Sequence, residues 1–100
     1  MKTYRLVSIP EVDSDVESAF TWYENERGDL GLDFLNEVRA AYDRIAEYPL
    51  QYEEIYSDVR RALTRRFPYA VYFTIDGDSA VVFAILHASR DPAVWQSRPR

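Results

Sequence analysis

His87 and Arg90 stand three residues apart just after an apolar run, and four more arginines, Arg60, Arg61, Arg65 and Arg66, fall within seven residues upstream. An imidazole can move protons near neutral pH, and a guanidinium grips phosphate or carboxylate with a planar fork. Metal-free cleavage of RNA would need these parts: a base for the 2′-hydroxyl, cations for the charge on phosphorus, and an acid for the departing 5′-oxygen. The same side chains suit plain binding of an anionic partner, with His87 doing no more than closing a strand against backbone. No lysine interrupts the Arg60–Arg66 group, which favours bidentate contacts over the solvated charge that commonly protects a sheet edge. Arg61 and Arg65 share a face only if one strand runs on to Arg65.

The charge distribution sharpens that reading. Residues 1–59 carry 14 Asp and Glu against 5 Lys and Arg, whereas residues 60–100 carry 3 against 7. Such asymmetry points to a local surface that meets an anion. The whole chain has net charge −5 and a pI near 4.8, which argues against indiscriminate coating of nucleic acid. With 100 residues, 47% apolar and 15% aromatic, residues 1–100 read as one small domain. The absence of cysteine excludes disulfides and thiolate metal sites, and the opening Met1-Lys2-Thr3-Tyr4-Arg5-Leu6 lacks the apolar stretch of a signal peptide. No run approaches the ~20 apolar residues of a membrane span, so the expected setting is cytoplasmic, with no membrane partner.

Other constellations carry less. Adjacent Glu53 and Glu54 point apart in an extended chain and make a poor acid/base pair. One histidine without cysteine leaves no transition-metal set, the carboxylates lack a calcium-loop pattern, and Gly28, Gly31 and Gly77 are too dispersed to cradle phosphate. No metal or cofactor is expected. Phe67-Pro68-Tyr69, Trp22, Tyr23, Tyr52 and Tyr56 read as packing residues before they read as stacking platforms.

The elements that must position these residues follow from periodicity. Thr3 to Ile9 is a first strand stopped by Pro10. Val12, Val16, Ala19, Phe20 and Tyr23 recur at helical spacing, with Ser8…Glu11 or Ser14…Glu17 as capping box and Gly28 as the stop. Phe34, Val38, Ala41, Tyr42 and Ile45 mark a second helix closing before Pro49, so the pair forms a helical hairpin. Leu50 to Ser57 has no clear period and reads as a connection. Val59–Leu63, Tyr69–Ile75 and Ala80–His87 are three strands, the last two joined by an Asp76-Gly77-Asp78-Ser79 turn. The order β-α-α-β-β-β gives an α+β fold: a helical hairpin on one face of a mainly antiparallel four-stranded sheet.

Val59-Arg60-Arg61, Arg65-Arg66-Phe67-Pro68-Tyr69-Ala70-Val71-Tyr72-Phe73, Val82-Phe83-Ala84-Ile85-Leu86-His87-Ala88-Ser89-Arg90-Asp91-Pro92 and Trp95 stand in an order that resembles the RelE/ParE superfamily of bacterial type II toxins. Trp22-Tyr23-Glu24 and Gly31-Leu32-Asp33-Phe34 resemble its helical hairpin. The resemblance implies a growth inhibitor encoded beside an antitoxin that wraps and silences it, in a hetero-oligomer with that antitoxin. RelE-like members cleave messenger RNA on the ribosome without a metal, whereas ParE-like members poison DNA gyrase. Ala70 stands where the nuclease branch often has arginine, Trp95 stands in place of its C-terminal tyrosine, and this chain is acidic. These departures favour the ParE-like branch, with Arg60, Arg61, Arg65, Arg66, Arg90 and Trp95 as the partner- or nucleic-acid-binding set. The alternative from the other branch is a ribosome-dependent endoribonuclease using His87 and Arg90, with Arg61 and Arg65 on the phosphates. A non-toxic binding module of the same fold is a third. Antitoxin contact is expected at a sheet edge left open along residues 60–66, or in the groove between helices and sheet.

Overall fold

The computed structural model describes residues 3–100. A first strand, β1 (Arg5–Ser8), leads into two long helices, α1 (Glu11–Glu26) and α2 (Leu30–Glu47), and then a single 3₁₀ turn at Pro49–Gln51. Strands β2 (Glu54–Tyr56), β3 (Val59–Leu63), β4 (Tyr69–Asp76) and β5 (Ser79–His87) follow, with a short closing helix, α3 (Ala93–Gln96). The sheet order is β1-β5-β4-β3-β2; β1 runs parallel to β5 and every other pairing is antiparallel.

The helical hairpin forms as the spacing predicts, but its punctuation differs. Neither capping box is used: Ser8 lies in β1, Ser14 lies inside α1, and the helix starts directly after Pro10, whose ring presets a helical φ of −57°. Gly28 is not the residue that turns the chain. Asp29 takes the left-handed conformation, at φ 70°, and one of the first amides of α2 is satisfied from the neighbouring helix: Gly31 N–H donates to Glu24 Oε1 at 2.9 Å. Gly31 is needed for close approach, because a Cβ there would sit 2.7 Å from Phe20 Cδ2 and 2.9 Å from Glu24 Oε1.

Both helices cover the same sheet face. Val12, Ala19 and Tyr23 of α1 and Phe34, Val38, Ala41 and Ile45 of α2 pack against Ala62, Val71, Phe73, Val82 and Ile85. Burying this much apolar side-chain surface, at about 25 cal/mol per Å², is the main term that holds the hairpin down.

Three expectations need correction. The sheet has five strands: Glu54–Tyr56, read as a connection, pairs antiparallel with β3 through Glu54↔Arg60 and Tyr56↔Val59. Three residues are too few to show a period, and the turn into β3 uses Ser57 at φ 53°, so no glycine marks it. The edge at residues 60–66 is therefore not wholly open, since β2 pairs with it at Arg60. Thirdly, Trp95 packs on the face opposite the helices. Val59, Ala70, Tyr72, Phe83 and Ala84 form a second buried cluster under Trp95, which stacks on Tyr72 with ring centroids 4.7 Å apart. Trp95 is 5% exposed, so it serves packing in this chain rather than the binding surface to which it was assigned.

A β-bulge links the two clusters. Tyr72 opposes Ala84 and Phe73 opposes Val82, which leaves Phe83 as an extra residue in β5. Before it Ala80 and Val82 face the helices; after it Ile85 does, while Phe83, Ala84 and Leu86 face Trp95.

Gly31→Ala is expected to lower stability by about 1–2 kcal/mol through overpacking against Phe20 and loss of the Glu24 bond. Gly28→Ala, which meets nothing within 4 Å, should be neutral or slightly stabilising. Urea titrations of both variants would check the contrast.

Candidate functional site

A groove of about 680 Å³ runs between α1 and the C-terminal half of β5. Ser14, Asp15, Ser18 and Trp22 form its helical wall, Tyr69, Ile85 and Leu86 lie on the strand side, and Arg98 and Arg90 also line it. The groove exists because β1 is short. β1 accompanies β5 only from Ser79 to Val82, ending where Ile9 N–H donates to Val82 C=O, so β5 beyond Val82 has β4 on one side and open space on the other.

Asp15 and Arg98 sit against that open side. The guanidinium forks onto the carboxylate, Nη1 to Oδ2 at 2.6 Å and Nη2 to Oδ1 at 2.9 Å. Asp15 Oδ2 also accepts Ile85 N–H at 3.0 Å, while Arg98 Nη1 donates to Phe83 C=O at 3.1 Å. The Asp15 side chain is 7% exposed and that of Arg98 18%, so the pair works where water screens little. Hydrogen bonding to Asp15 raises the Arg98 pKa above its ordinary range, with burial opposing. Sequence reading missed both residues. Asp15 reads as an acid off the apolar stripe, and no periodicity connects it to a partner 83 positions away.

His87 closes β5 opposite Tyr69, their rings 5.5 Å apart. Its Nδ1 accepts Ser89 N–H at 3.1 Å and lies 2.8 Å from Ser89 Oγ. A backbone amide can only donate, so Nδ1 carries no proton and the neutral ring bears its hydrogen on Nε2. The nitrogen that could act as a base is thus occupied by its own loop, and the other can only donate. Burial raises the Tyr69 pKa, against the opposing pull of Arg90, which keeps that phenol a donor as well. Arg90 is exposed, its amide bonded to His87 C=O at 2.9 Å.

The Arg60–Arg66 group does not form one cationic face. Arg60 bonds Tyr52 C=O and lies 3.7 Å from Glu54. Arg66 pairs with Asp33 at 3.1 Å and lies over the Phe67 ring. The amides of Arg65 and Arg66 both donate to Glu37 Oε1 at 3.0 Å. Acidic side chains of α2 thus face this turn. β3 ends at Leu63, so Arg61 and Arg65 do not share a strand, and β4 lies between β3 and the strand of His87. Among the described residues, no ion pair engages Arg61, Arg65 or Arg90, and no group of three or more His, Asp or Glu is placed to hold a metal ion. No helix among them is long and apolar enough to cross a membrane.

Residues 9–92 match the family model described as the ParE toxin of the type II toxin-antitoxin system, parDE. Among solved structures, one titled "Chromosomal ParDE TA system from P. aeruginosa" shares the fold with a TM-score of 0.76 at 15% identity, over 85% of this chain and 96% of that chain. No curated protein matches the chain.

Arg98→Ala should cost about 3 kcal/mol, because it leaves the Asp15 carboxylate buried without its countercharge. The double variant Asp15→Asn with Arg98→Ala should recover part of that loss. Guanidinium denaturation of the two, compared with the unsubstituted chain, measures it; equal losses would show that the buried charge is not the cause.

Proposed function

From its place in the ParE toxin family of type II toxin-antitoxin systems, to which this chain belongs, we propose that it is a cytoplasmic growth inhibitor, silenced by a cognate antitoxin, whose target is DNA gyrase. The observation that carries this reading is the chemistry of the groove. Its one histidine has its basic nitrogen occupied by Ser89, and Arg90, which has no ion-pair partner among the described residues, can bind a carboxylate or phosphate without moving a proton. Ala70, where the nuclease branch often has arginine, is fully buried in the sheet and brings no charge to the site. An arginine that stabilises a pentavalent phosphate is worth on the order of 10²–10³ in rate, by analogy with a lost oxyanion donor.

Ribosome-dependent cleavage of messenger RNA is the second reading, favoured by one feature: with a second proton on Nδ1, held by Ser89 Oγ, His87 would be an imidazolium whose Nε2–H could protonate a departing 5′-oxygen and leave the neutral ring. A chain that has lost toxicity and only binds would inhibit neither target.

Purified protein is expected to inhibit gyrase supercoiling or to stabilise cleaved gyrase–DNA complexes. Arg90→Ala should weaken that effect about tenfold to a hundredfold, the cost of a charge-assisted contact. His87→Ala should change it by about twofold. Codon-phased cuts in messenger RNA that vanish with His87→Ala, with gyrase untouched, would hand the assignment to the nuclease reading.

A further inference from the structure

The Asp15–Arg98 pair does on β5 what one residue of an added strand would do. In a parallel ladder, a residue donates its N–H to the carbonyl before its opposite number and accepts from the amide after it. Arg98 donates to Phe83 C=O and Asp15 accepts from Ile85 N–H, the two bonds that a parallel residue opposite Ala84 would make. β1, which is parallel to β5, stops one step earlier, where Ile9 N–H reaches Val82 C=O. The bulge at Phe83 permits this, because after it the outward-facing groups shift from even to odd positions.

The next step on that ladder is open. Strand alternation turns Ile85 C=O and His87 N–H to the same side as Ile85 N–H, and among the described residues no bond outside the β4–β5 ladder reaches either group. The groove lies over them: Trp22, 58% exposed, and Ser18 stand opposite Ile85, Leu86 and His87. Arg90 lines the groove as well and comes just beyond His87 in the chain.

We infer that the open edge at Ile85–His87 is a docking site for an extended protein segment that lies parallel to β5, places one residue opposite Leu86, and carries a carboxylate just C-terminal to it for Arg90. The direction follows from the two bonds already formed by Asp15 and Arg98. The carboxylate follows from charge, since among the described residues Arg90 has no ion-pair partner. Ser18 and Trp22 on the helical wall leave room for an uncharged side chain on the segment's α1 side. Displacing the Asp15–Arg98 clip would expose Phe83 C=O and Ile85 N–H and extend the pairing by one more residue.

This rests on the reading of the chain as the toxin of a pair, so the segment is assigned to the antitoxin, and the test separates the two ideas. Amide hydrogen exchange is measured on the chain alone and in complex with the product of the adjacent reading frame. In the free chain the His87 amide should exchange much faster than those of Ile85 and Leu86; on binding it should slow at least tenfold. His87→Pro, which deletes the outward N–H, should bind about threefold to tenfold more weakly than His87→Ala, which keeps it. Arg90→Glu should weaken binding further. A complex that leaves His87 exchange unchanged overturns the docking site while keeping the toxin reading. Absence of any complex overturns both. Concentration-dependent protection of His87 in the chain alone would overturn the assignment to an antitoxin in favour of a second copy.

Discussion

One extra residue in β5 organises the working side of this fold. Phe83 breaks the strict alternation of the strand, and a single-residue offset exchanges which face and which side each later group addresses. Ile85 thereby reaches the helical core, and Phe83 and Ala84 both reach the cluster under Trp95. The same offset turns Phe83 C=O and Ile85 N–H toward the groove, where Arg98 and Asp15 take them. A buried amide without a partner costs about 1–3 kcal/mol, so the bulge makes the clip, or a strand in its place, a structural requirement.

Both faces of β4 and β5 are covered, which explains why these strands read as continuous apolar runs and not as alternating ones. The second cover is thin: Trp95 of α3, Tyr56 against its ring, and the Arg100 guanidinium over Phe83. The C-terminal segment therefore has two jobs. It closes the far core through Trp95 and, through Arg98, guards the open side of β5.

The acidic and basic halves of the chain meet within the molecule. Asp33 and Glu37 of α2 face the arginine-rich turn, Glu54 faces Arg60, and Asp15 holds Arg98. Much of the asymmetry that suggests an anionic partner is thus answered internally. The exposed Arg66–Asp33 pair contributes little to stability, unlike the buried Asp15–Arg98 pair, but together these contacts remove cations from the binding surface and leave Arg90 as the guanidinium in the groove without an ion-pair partner among the described residues.

The helical hairpin, β3, β4, β5 and the α+β layering are legible in local pattern alone, because the apolar stripe of Phe34, Val38, Ala41 and Ile45 and the Asp76-Gly77-Asp78 turn are local signals with a physical cause. It also carried the family resemblance, which depends on the order of motifs along the chain. It placed His87 and Arg90 together because they are three residues apart. The remaining features arise from contacts between distant parts of the chain. β2 is too short to show a period, Asp29 and Ser57 turn the chain where glycine would be expected, and Trp95 is buried by a face that no stripe announces. The dispersal of the four arginines depends on which acids α2 presents to them. The Asp15–Arg98 clip joins residues 83 apart, and it exists because β1 ends opposite Val82 and leaves the rest of β5 uncovered, a result of strand length and packing that no local pattern encodes.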